Sequence, residues 1–91
     1  MESIIQKEKY CYVCGTTLGL HSHHIFGAAN RKKSEKQGLK VWLCGYHHNL
    51  SNQGVHFHKP LDSRLKRLAQ KKYEETHTRE EFMQEFGKNY L

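Results

Sequence analysis

The chain has 91 residues, of which 36% are hydrophobic, with one Pro and one Trp; that allows one domain and leaves its apolar core thin, so a metal staple would help it fold. Fifteen Lys and Arg against nine Asp and Glu give a net charge of +6, which favours a polyanionic partner and excludes mimicry of DNA by an acidic surface. No stretch approaches a membrane span, and Met1 to Lys7 hold no apolar run long enough for a signal peptide.

No repeat or low-complexity tract divides the chain. Residues 9–13 read as extended and Cys14-Gly15-Thr16-Thr17 as a turn. Leu18 to Phe26 is predicted to be a strand carrying His21, Ser22, His23 and His24. Gly27 to Gly38 is small and basic and reads as a loop. Leu39-Lys40-Val41-Trp42-Leu43 alternates as a second strand. A short helix is predicted from near Gly45 to about Asn52. Pro60 suits the first turn of a longer helix. Along it Leu61, Leu65, Leu68 and Lys72-Tyr73 recur on one face, with Arg64, Lys66, Arg67 and Lys71 on the other. Thr78 and Glu81 match a capping box that opens a last helix with Phe82 and Phe86 on one side, and Gly87 is placed to end it. Both helices are expected to cover the core, and the expected fold class is α+β.

Three cysteines are an odd number, so a closed disulfide set would leave one over. A reducing cytoplasm, in which such residues more often hold metal, is the expected compartment. Cys11-x-x-Cys14 and Cys44-x-x-His47 form two pairs with two-residue gaps. That gap lets both members of a pair turn onto one ion, and four such ligands complete the tetrahedral shell of structural zinc. The ion would tie the start of the domain to its middle.

Of the eight histidines, His23, His24, His48, His56 and His58 are left over. His23 lies on the first predicted strand. His48 lies on the short helix, and Asn52, four residues further, shares its face. A strand His and a helical His-x-x-x-Asn can converge on one cation. His24 points the other way along the strand, so it can stand beside the ion without ligating it. Metal-assisted hydrolysis needs that division: one group holds the ion, and another takes a proton from water near neutral pH.

His23-His24-Ile25 followed by Val41-Trp42-Leu43-Cys44-Gly45-Tyr46-His47-His48-Asn49 resembles the HNH nucleases, also called ββα-metal or His-Me finger nucleases. The match spans about residues 9–56 and is nearest to small HNH proteins of phages and prophages of Gram-positive bacteria; the ending Glu81 to Leu91 also looks like theirs. The resemblance implies a metal-dependent DNA endonuclease or nickase that leaves a 5′ phosphate and a 3′ hydroxyl. His24 would be the general base. His23, His48 and Asn52 would bind a catalytic Mg²⁺, Mn²⁺, Ni²⁺ or Zn²⁺, and Cys11, Cys14, Cys44 and His47 a structural zinc. The doubled histidines leave the register open by one residue, so His23 can also take the base role, and His56 can replace Asn52. The family's middle Asn usually precedes the second strand; this chain has Gly38-Leu39 there, with Asn30 or Gln37 as substitutes.

Arg31, Lys32, Lys33 and Lys40 are the expected phosphate contacts, with Arg64, Arg67 and Lys71 as a second patch. Such contacts position a duplex without reading it, so low sequence specificity is expected. By analogy, phage packaging proteins such as a terminase are conjectured partners, in the cytoplasm of a bacterial host. The alternative reading is a non-catalytic zinc module that binds nucleic acid or a protein.

Overall fold

A computed structural model of the chain describes residues 1–91. The alternating segments form two antiparallel strands, β1 (Leu20–His24) and β2 (Lys40–Cys44). Their register pairs His21 with Leu43, His23 with Val41 and His24 with Lys40. Because side chains alternate, His21 and His23 share the face of Val41 and Leu43, while His24 shares the opposite face with Lys40. β1 is shorter at both ends than the predicted Leu18–Phe26, although the Ile25 amide still donates to the Leu39 carbonyl at 3.1 Å.

The predicted loop from Gly27 to Gly38 is instead a 3-10 turn, Ala28–Asn30, leading into α1 (Arg31–Lys36). Arg, Lys and Glu are good helix formers, and that local preference prevails over the small residues ahead of them. Ser34, fully buried, fastens α1 to both strands. Its hydroxyl accepts from the Phe26 amide at 3.3 Å and donates to the Leu39 carbonyl, and its own carbonyl accepts from the Leu39 amide at 2.8 Å.

The free edge of β2 is covered by the N-terminal segment. The Trp42 amide donates to Oε1 of buried Gln6 at 2.7 Å, and the Trp42 carbonyl accepts from the Tyr12 amide at 2.9 Å. An edge that would otherwise expose unpaired backbone is thereby satisfied.

The short helix, α2 (Gly45–His48), is one turn and stops well before Asn52. The Asn49 and Leu50 amides both turn back to the Gly45 carbonyl, at 3.1 and 2.9 Å, which closes the helix. The chain then loops and returns across α2, with the Val55 amide on the His47 carbonyl (2.8 Å) and the His56 amide on the His48 carbonyl (3.3 Å). Gly54 makes this return possible: a Cβ there would meet the His48 carbonyl oxygen at 2.7 Å.

α3 (Lys59–Tyr73) starts with His58 as its N-cap and Pro60 in the first turn. It buries Leu65, Ala69, Gln70 and Tyr73, while the expected Leu61 and Leu68 are half-buried at the margin. α4 (Arg79–Phe86) has the predicted capping box between Thr78 and Glu81 and ends at Gly87 with φ +83°. Phe82 and Phe86 turn inward against Phe26, at centroid distances of 5.6 and 4.6 Å. Each such ring contributes on the order of 2–3 kcal/mol when fully buried. The fold is α+β, as expected: a two-stranded sheet with helices packed on it and closed by an aromatic cluster. No helix is long and apolar enough to cross a membrane.

Candidate metal centres

The two ligand pairs of the knuckle meet. Cys11 and Cys14 sit in the turn before β1, Cys44 ends β2, and His47 lies on α2, so four elements of the chain contribute to one cluster. Cys14 Sγ stands 3.8 Å from Cys44 Sγ, and His47 Nδ1 stands 3.8 Å from Cys11 Sγ and 3.3 Å from Cys44 Sγ. Ligands at zinc's bond lengths of about 2.3 Å for sulfur and about 2.0 Å for nitrogen lie about 3.5–3.8 Å apart around a tetrahedron. The spacing fits an ion, and it is too long for a disulfide, so all three cysteines are free thiols. Burial would raise the Cys11 thiol, but backbone amides of Cys44, Cys14 and Val13 outweigh it and bring its pKa down to about 6. The thiolate that a metal requires is thus favoured at that position. Cys14 is held above its ordinary value: the Thr16 amide lowers it, but partial burial and the neighbouring thiols of Cys11 and Cys44 outweigh that.

A second cluster gathers one ring nitrogen each from His23 on β1, His48 on α2 and His56 on the returning loop, all within 4.8 Å of one another. His48 Nε2 and His56 Nε2 are 3.1 Å apart. Two nitrogens about 2.1 Å from a shared ion stand about 3.0–3.4 Å apart, depending on geometry. His23 is buried, and its Nε2 has no hydrogen-bond partner; a buried polar atom without one requires an explanation. Burial, reinforced by His48 and His56, pushes the His23 pKa down to about 3, and burial also lowers that of His48. Both rings are therefore neutral near pH 7, the form that binds metal.

Asn52 does not join this cluster from a helix. It is exposed on the turn after α2, and His56, the alternative ligand, stands beside His48 and His23 instead. The cause is the early end of α2, which removes the i to i+4 relation between His48 and Asn52 and substitutes a backbone-paired return.

His24 faces the other side of β1, as alternation requires. Its Nε2 is 2.8 Å from Glu35 Oε1, while Glu35 Oε2 accepts from Lys40 Nζ at 2.7 Å and from the Met1 ammonium at 3.0 Å. The Lys40 bond, then those of His24 and the N-terminus, hold the Glu35 carboxyl far below the usual carboxylate range. Glu35 went unrecognised in the sequence because it lies in a segment that reads as loop. His21 was also missed: its Nδ1 is 2.9 Å from His48 Nδ1. Period-two alternation with His23 carried the signal for it.

The expected DNA contacts divide. Arg31 and Lys32 are exposed on α1, and Arg64, Arg67 and Lys71 are exposed on α3. Lys33 caps the end of α4 through the Glu85 carbonyl at 2.8 Å, and Lys40 is paired with Glu35. These two serve the fold. Asn30 donates to the Phe86 carbonyl at 3.3 Å, so it too braces α4 rather than the base histidine. The chain matches no protein-family model, no curated protein and no solved structure.

Proposed function

We propose that this chain is an HNH-type, ββα-metal endonuclease or nickase that hydrolyses DNA phosphodiester bonds with a divalent ion, on a scaffold stapled by a structural zinc. One observation carries the reading: the buried, unpartnered Nε2 of His23 gathers with ring nitrogens of His48 and His56, while His24, on the next residue, faces a carboxylate. Ligands and base then come from adjacent positions of one strand.

His23, His48 and His56 would hold the ion. When bound, it supplies charge stabilisation to the pentacoordinate phosphorus and to the leaving 3′ oxygen. Glu35 accepts the Nε2 proton of His24, which leaves Nδ1 as the proton acceptor. His24 then takes a proton from the attacking water as its oxygen bonds to phosphorus and the bond to the 3′ oxygen breaks. Arg31 and Lys32 meet the backbone without reading bases. The resemblance to small phage proteins extends the proposal to a packaging setting, with a terminase as the protein to test for association.

The test is nicking of supercoiled plasmid across Mg²⁺, Mn²⁺, Ni²⁺ and Zn²⁺. His24→Ala is expected to lose about 10²- to 10⁴-fold in rate, with comparable losses in His23→Ala and His48→Ala. A folded His24→Ala protein that cuts as fast as wild type sinks the base assignment. A second reading, the non-catalytic zinc module, draws on the exposed Tyr12, Val13 and Leu18 beside the knuckle. It predicts one zinc per chain and no cleavage with any ion.

A further inference from the structure

His48 is flanked on both ring nitrogens by other imidazoles: Nε2 faces His56 Nε2 at 3.1 Å, and Nδ1 faces His21 Nδ1 at 2.9 Å. Two bare nitrogens repel at such distances, so a proton or a cation must lie between the members of each pair. A cation shared by the two Nε2 atoms takes a lone pair from each ring. The neutral His48 ring then carries its proton on Nδ1, and the only acceptor facing that proton is His21 Nδ1.

We propose that His21 is the positioning residue of the histidine cluster: it accepts the Nδ1 proton of His48 and so fixes the tautomer and ring plane that aim His48 Nε2 at the ion. The inference rests on the reading of His23, His48 and His56 as a metal site. His21 itself is not a ligand; its ring meets that of His48 edge-on at a centroid distance of 5.0 Å and an interplanar angle of 82°. Metal-bound histidines generally donate their second ring nitrogen to such an acceptor, usually a carboxylate or a carbonyl. The need is acute here because α2 is one turn long and His48 is its last residue. Backbone pairing holds that end only through Val55 and His56. His21 ties it to β1, the strand that also supplies His23, and so sets two of the three ligands from a single element.

The test is a Co²⁺ titration of the full chain with zinc already in the knuckle, read by the visible ligand-field spectrum. His21→Phe keeps a ring of similar size but offers no acceptor. It is expected to weaken Co²⁺ binding about 10- to 100-fold while leaving the shape of the bound spectrum and the knuckle zinc content unchanged. His21→Asn, which restores an acceptor, is expected to recover part of that loss, as a purely space-filling role would not allow. His21→Leu replaces the Phe variant if that one fails to retain zinc. Wild-type affinity in the non-acceptor variant overturns the proposal, and so does a changed ligand field, which would make His21 a ligand. A wild-type chain that takes up no Co²⁺ beyond its zinc rejects the histidine site itself, a result separable from either of these.

Discussion

His23 shows how one residue's burial sets its chemistry. An exposed imidazole near 6.5 would be partly protonated at neutral pH, but His23 is held at about 3 by burial and by His48 and His56. The folded chain refuses a proton there that the unfolded chain accepts near 6.5. Stability is therefore whole above that value and is lost as pH falls from about 6.5 towards about 3. One proton per molecule corresponds to a slope of at most about 1.4 kcal/mol per pH unit. Urea midpoints of wild type and His23→Leu, compared between pH 7 and pH 5.5 without added divalent ion, should show the steeper decline in wild type. Parallel curves would contradict the burial reading.

Among the elements, α1 has the largest unforeseen part. It joins β1 to β2 through Ser34, presents Glu35 to His24, and offers Arg31 and Lys32 to solvent, so a six-residue helix serves packing, base orientation and charge together. Ser34→Ala leaves the buried Phe26 amide without its acceptor. The expected loss is about 1–3 kcal/mol, the cost of an unsatisfied buried polar group, seen as a lower urea midpoint with the slope retained. An unchanged midpoint would mean that the hydroxyl is dispensable and that helix propensity alone keeps α1 in place.

For the whole molecule, the stapling is decisive. A two-stranded sheet is marginal by itself. The aromatic cluster of Phe26, Tyr73, Phe82 and Phe86 anchors α3 and α4 at one end, whereas the cysteine turn is held by its backbone bonds and by whatever joins Cys11 and Cys14 to Cys44 and His47. Zinc supplies that junction, and the free energy of binding it becomes free energy of folding. Stripping zinc with a strong chelator, or changing Cys11 to Ser, is therefore expected to lower the melting temperature markedly and to broaden the transition. Elemental analysis should give one tightly held zinc per chain in the native protein. A melt indifferent to chelation would place the stability in the core instead.

The amino-acid sequence by itself determined the features that depend on near neighbours. The two C-x-x-C-like gaps named the knuckle ligands, alternation set His23 against His24, and Thr78, Glu81 and Gly87 marked the ends of α4, because each signal lies within a turn or a strand pair. Tertiary structure alone decided where α2 stops, since that depends on Gly54 letting a distant segment lie against His48. With it came the exchange of Asn52 for His56. The same holds for Glu35 beside His24, for His21 behind His48, and for Lys33 and Lys40 spent on the fold. Those pairings join residues far apart in the chain, where no local periodicity reports which side chains will face each other once the core has closed.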